Sequence, residues 1–138
     1  FDADWPVGVD IEKMRPDFGG MKIARHFFSA HEIGELSRLP IATQQSAFFN
    51  GWTRKEAYIK ALGKGLVIPL HQFSVSLAPD KAALLLSTEH DPAQKMHWKL
   101  FALPAPLGYA AAVIVNRIRN HVLLFELNQE FIANYFSY

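Results

Sequence analysis

From about Thr43 to Leu62 the chain reads as one long helix, entered after Pro40 and stopped at Gly63. A helix of that length is about as long as a small domain is wide. In a chain of 138 residues the remaining elements must pack along it. Phe48, Trp52, Lys55 and Ile59 lie near one another on its surface. Trp52, Glu56 and Lys60 recur every four residues down one side, so a carboxylate stands one turn from an ammonium.

The second informative fragment is Val7-Gly8-Val9-Asp10-Ile11-Glu12. Its alternation predicts a strand with Val7, Val9 and Ile11 on one face and Gly8, Asp10 and Glu12 on the other. The apolar face is expected to enter a core and to leave two carboxylates opposite it. If Glu56 joins them, three carboxylates repel unless a hard cation such as Mg²⁺ links them. A lysine beside that cation suits a second anion, most simply a phosphate. The residues alone therefore suggest a Mg²⁺-dependent site acting on a phosphate ester.

Each part has an ordinary explanation. Acidic residues two apart on a wet strand face are common, and Glu followed four later by Lys is the usual helix-surface pair. Trp52 alone reads as core. The weight lies in the combination.

A turn-rich loop, Lys13 to Gly20, follows the strand, and Met21, Ile23, Ala24, Phe27 and Phe28 then give a short apolar-faced helix. Ser29-Ala30-His31-Glu32 matches a capping box opening a helix that carries Ile33, Leu36 and Leu39 and stops at Pro40. Beyond Gly63 the chain reads as strands: Phe73 to Leu77, Ala83 to Leu86, His97 to Leu103 and Tyr109 to Val115. Leu123 to Leu127 suits a further strand, and Phe131 to Tyr138 an aromatic tail that docks or binds a partner. The fold class expected is α+β, a small, mostly antiparallel sheet packed against the long helix. Residues 1–138 are expected to form a single domain.

Composition narrows the function. A formal net charge of +1 and no basic run interleaved with aromatics argue against a nucleic-acid partner. The absence of cysteine removes disulfides, zinc-thiolate sites and thiol chemistry, and it fits a reducing cytoplasm. No signal peptide or membrane span is read, because Pro104, Pro106 and Gly108 break the longest uncharged stretch. The six histidines show no metal-ligand spacing and read as ordinary surface or half-buried residues. No phosphate-binding P-loop and no nucleophile elbow appear. Phe1 to Pro6 looks like a hairpin leading into the Asp10 strand, and with Phe1 rather than Met at the start it suggests a piece of a longer protein.

The two fragments together resemble the 4′-phosphopantetheinyl transferases, specifically the C-terminal half of the larger, surfactin-synthetase-activating type. Gly8-Val9-Asp10-Ile11-Glu12 matches the family's G-x-D-x-E strand, and Trp52, Lys55, Glu56, Ala57 and Lys60 match W-x-x-K-E-A-x-x-K. Arg25-His26-Phe27-Phe28-Ser29 with Glu32 resembles its R-F-F-S segment and glutamate. Lys60 to Leu66 resembles its K-x-x-G-x-G-L turn. Phe73-Ser74-Val75 and Gly108-Tyr109-Ala110 resemble later strands.

The resemblance implies Asp10, Glu12 and Glu56 as ligands of Mg²⁺ or Mn²⁺. It makes Lys60 the holder of a phosphate of coenzyme A, with Lys55 beside the site and both among the catalytic candidates. Glu32 is then the candidate general base, although capping alone explains it. Lys64 is a phosphate or partner contact, or else a solvated loop lysine. Trp52 would fix the helix against the Asp10 strand. The implied reaction moves the 4′-phosphopantetheine arm of coenzyme A to a serine of an acyl or peptidyl carrier protein, as fatty acid, polyketide and nonribosomal peptide synthesis require.

The larger enzymes pair two similar halves around coenzyme A, and the basic half that grips the nucleotide has no counterpart here. An upstream half or a neighbouring subunit is therefore expected to complete the site. The rivals are a non-catalytic module binding carrier protein or coenzyme A, and a metal-free structural domain.

Overall fold

The computed structural model describes residues 6–17, 19–63 and 68–116. Residues 1–5 of the expected hairpin, Lys64 with its glycine turn, the strand read at 123–127 and the tail at 131–138 lie outside the described residues.

The elements run β1 (Val7–Lys13), α1 (Gly20–Phe27), α2 (Ala30–Arg38), α3 (Ile41–Leu62), β2 (Phe73–Val75), β3 (Leu85–Thr88), β4 (Trp98–Leu103) and β5 (Tyr109–Asn116). Two short 3₁₀ turns, Leu70–Gln72 and Gln94–Met96, lie among the later strands. The α+β class holds. The capping box opens α2 as expected: the Ser29 hydroxyl accepts from the Glu32 N–H, and the Glu32 side chain accepts from the Ser29 N–H. The α3 helix begins at Ile41, directly after Pro40, slightly earlier than the sequence suggests, and ends at Gly63.

Among the described residues the strands form two antiparallel sheets. Strand order β1-β5-β4 makes the larger, and β2 pairs with β3 in the smaller. In the larger sheet Asp10 lies opposite Ala112 and Glu12 opposite Ala110. Paired residues share a face, so the face carrying Gly8 and Asp10 also carries Ala110, Ala112, Ile114 and Leu100. That face packs on α3. The helix is buried on most sides at Phe48, Phe49, Ala57, Tyr58 and Ala61, because the sheet covers one flank while α1, α2 and β2 cover others. Among the described residues no helix is long and apolar enough to cross a membrane.

One expectation reverses. The face of β1 that enters the core is the one with Gly8 and Asp10, whereas Val9 and Ile11 remain 49% and 55% exposed. Gly8 explains the inversion. A Cβ there would stand 1.8 Å from the Ala57 carbonyl oxygen and 2.7 Å from the Ala61 nitrogen, so the β1 backbone lies directly on the α3 backbone. A valine could not approach that closely. The apolar row Val7, Val9, Ile11, with Val113 and Phe101 beside it, faces away from α3.

Candidate active site

The close approach of β1 to α3 sets the site. Asp10, two residues after Gly8, sits 7% exposed against the last turns of the helix, and Lys60 Nζ donates to its Oδ1 at 2.7 Å. The other oxygen, Oδ2, is buried and is the sole such side-chain atom among the described residues without a hydrogen-bond partner. Glu56 precedes Lys60 by one turn, and Glu12 follows Asp10 on the same strand face.

The three carboxylates act on each other. Burial raises the Glu12 carboxyl above its ordinary 4.5, and Asp10 and Glu56 push it further up while Lys60 pulls it down. Glu56 rises from the same value, again through burial first and Asp10 second. Lys60 is held above its usual value, chiefly by the hydrogen bond to Asp10. Formally, three negative charges face one positive charge, which leaves the cluster short of cation.

A carboxyl raised by its folded surroundings destabilises the fold when ionised. The protein is therefore expected to lose stability as pH rises through and above 4.5 at Glu12 and Glu56. Glu12→Gln should raise the melting temperature at neutral pH and flatten that dependence. Thermal melts between pH 4 and 8 would check this, and an unchanged or lower melting temperature at pH 7 would contradict it.

The donor set suits a hard divalent cation, which takes carboxylate oxygens, and Asp10 Oδ2 is left without a partner. Among the described residues, however, no group of three His, Asp or Glu side chains is gathered tightly enough to hold an ion as arranged. Lys60 occupies Asp10 instead.

Glu32 keeps its capping place, whereas Lys55 lies away from its expected position beside the Asp10 site. Both are fully buried and paired with each other, Lys55 Nζ donating to Glu32 Oε1 at 2.8 Å and also to the Phe73 carbonyl. Glu32 Oε1 accepts from Val75 N–H at 2.7 Å, and Oε2 accepts from Ser29 N–H at 2.8 Å. The ammonium lies 4.2 Å from the centre of the Phe73 ring. Burial lowers Lys55 from its ordinary value, with Glu32 acting against that shift. Lys55 thus ties α3 to α2 and β2 and is not presented beside Asp10. The Trp52 ring meets Phe27 edge-on at 5.6 Å and stacks on Phe48 at 6.0 Å, joining α3 to α1, and it lines one cleft with Glu12 of β1.

Beside Glu12 a cleft of about 300 Å³ is lined by Arg15, Asp17, Ile23, Phe48, Phe49 and Trp52. Arg15 was not singled out from the sequence. Its one signal is its place three residues after Glu12, just past the end of β1. Among the described histidines, His90 makes a part-buried contact, its Nε2 3.4 Å from the hydroxyl of Tyr58.

The sequence model of the 4′-phosphopantetheinyl transferase superfamily matches residues 6–114. The 4′-phosphopantetheinyl transferase ffp of Bacillus subtilis is 44% identical over 93 residues, covering 67% of this chain and 40% of that protein. The 4′-phosphopantetheinyl transferase Sfp of Bacillus subtilis (strain 168) is 40% identical, again over 67% of this chain and 40% of its own length. The chain thus spans about two fifths of these relatives. Among solved structures, a holo-(acyl-carrier-protein) synthase from Bacillus anthracis in complex with coenzyme A (3′,5′-ADP) is similar. It has a TM-score of 0.62 at 22% identity and covers 80% of this chain and 94% of that one. At that identity the likeness concerns the fold.

Proposed function

This chain belongs to the 4′-phosphopantetheinyl transferase superfamily, and from that premise we propose that it provides the metal-binding half of an enzyme moving 4′-phosphopantetheine from coenzyme A to a carrier-protein serine. The observation that carries this reading is the meeting of Asp10, Glu12, Glu56 and Lys60 where β1 crosses α3. In the reaction the serine oxygen forms a bond to the pantetheine-side phosphorus. The bridging P–O bond breaks, 3′,5′-ADP leaves, and the serine proton passes to a base. Asp10, Glu12 and Glu56 would hold Mg²⁺, or Mn²⁺, which when bound offsets the charge growing on the phosphate oxygens. Lys60, which in this arrangement donates to Asp10, is the residue that would grip a phosphate.

Glu32 and Lys55 enter this reading as positioning residues. To take the serine proton, Glu32 would have to release Lys55, Val75 N–H and Ser29 N–H from a fully buried carboxylate. Coenzyme A carries several negative charges, more than Lys60 and its neighbours offset, so further basic groups are needed. The exposed Val9 and Ile11 of β1 suit a second, similar domain, supplied by the rest of a longer chain or by another subunit.

The test is incorporation of a fluorescent coenzyme A analogue into an acyl carrier protein and a peptidyl carrier protein. The 138-residue chain alone should transfer at a negligible rate, and the full-length protein robustly, with Asp10→Asn abolishing the latter. Robust transfer by the chain alone as a dimer or trimer would assign completion of the site to neighbouring subunits. No transfer by the full-length protein would leave a binding module.

A further inference from the structure

Lys60 and Asp10 are unequal partners. The carboxylate is 7% exposed, and its buried Oδ2 has no hydrogen-bond partner. The lysine side chain is 51% exposed and reaches Asp10 with its tip alone, at 2.7 Å. A half-exposed monovalent cation therefore rests on a buried anion that it only partly satisfies.

The geometry points to Lys60 as an exchangeable counter-ion: it holds Asp10 until a divalent cation arrives, and only its release makes it available to a phosphate. This inference rests on the divalent-cation reading above. Three physical facts carry it. A buried carboxylate oxygen left unpaired is costly, and a single ammonium hydrogen bond leaves Oδ2 in that condition. A doubly charged, oxygen-seeking ion answers both the orphaned oxygen and the surplus charge of Glu12 and Glu56 better than an ammonium does. Once such an ion shares Asp10, a second cation at hydrogen-bond distance is repelled by it, and Lys60 has a solvent-facing stem along which to withdraw.

A binding order follows. Phosphate arriving first finds Lys60 engaged with Asp10. Phosphate arriving after the cation finds it free. Cation and anion must then strengthen each other's binding by the same factor, and much of that factor passes through Lys60.

Side-chain NMR on protein carrying ¹³C-lysine reads this directly through the Cε–Hε signals of Lys60, assigned with Lys60→Met. The probes are Mg²⁺ and inorganic pyrophosphate. In the free protein the Lys60 methylene should be ordered. Mg²⁺ alone should shift the amide signals of Asp10 and Glu12 and mobilise Lys60, and pyrophosphate added next should order it again. In Asp10→Asn the Lys60 signal should be mobile from the start. By calorimetry, Mg²⁺ should raise pyrophosphate affinity by about tenfold or more in the native chain and by no more than about threefold in Lys60→Met.

If Mg²⁺ perturbs Asp10 and Glu12 while Lys60 stays ordered, the exchange is wrong and the cation site stands. If Mg²⁺ moves neither Asp10 nor Glu12, the cation reading falls and the exchange with it.

Discussion

Glu32→Gln should destabilise the fold by about 3–5 kcal/mol, the usual cost of stranding one member of a buried ion pair. The pair is closed to water on both sides, each side chain being 0% exposed. Ser29 N–H and Val75 N–H meet different oxygens of Glu32, so the single amide oxygen of glutamine keeps one of these backbone bonds and its NH₂ end loses the other. Nor can it supply charge. Lys55 is already drawn below its ordinary value by burial, and with Gln at 32 it must either lose its proton or remain charged over the Phe73 ring with the Phe73 carbonyl as its acceptor. Lys55→Met should be costly for the converse reason, leaving a buried carboxylate with backbone donors alone.

The double variant, Glu32→Gln with Lys55→Met, should lose clearly less than the sum of the two single losses, because neither stranded charge remains. Urea unfolding of the four proteins would measure this. A single-variant loss below about 1 kcal/mol, or full additivity, would mean that the pair does not bind α2, α3 and β2 together. Because destabilisation and slowed transfer arise together in this variant, transfer by Glu32→Gln is informative only below its melting range. Near-native transfer there would exclude Glu32 as the base.

Gly8→Ala is expected to cost about 3 kcal/mol or more, at the upper end of what overpacking does. Ordinarily a side chain moves aside for an added methyl. Here the nearest atoms are the Ala57 carbonyl oxygen at 1.8 Å, the Ala61 nitrogen at 2.7 Å and the Ala57 carbonyl carbon at 2.9 Å, all of them α3 backbone. No rotamer relieves that, so β1 has to lift from the helix. Lifting β1 carries Asp10 away from Lys60, and the raised pKa of Lys60 should relax toward its ordinary value.

Gly34→Ala is the control. It lies within α2, and its nearest neighbour is the movable tip of the Arg38 side chain, at 3.4 Å. That change should be neutral or stabilising by up to about 1 kcal/mol, as alanine generally is in a helix. Chemical unfolding, with the Lys60 titration followed by NMR, gives both readouts. A Gly8→Ala protein as stable as the native one, with Lys60 still elevated, would mean that the glycine does not set the spacing of the site.

Much of this molecule is written locally. Ser29 and Glu32 sit at capping-box spacing, Pro40 and Gly63 bracket the long helix, and alternation marks β1, because each of these signals acts over a few residues. The pairing of the Asp10 strand with the Glu56 helix as one site was legible from the two motifs together. Alternation, by contrast, tells that β1 has two faces without telling which one is buried. That was decided by the backbone contact at Gly8, which admits no side chain and so drew the carboxylate face inward, leaving Val9 and Ile11 outside. The burial of Lys55 with Glu32, 23 residues apart in sequence, and the seat of Lys60 on Asp10, 50 residues away, were likewise settled by packing. A charged side chain buried without a partner is too costly to persist, and its partner comes from whichever element the fold brings alongside.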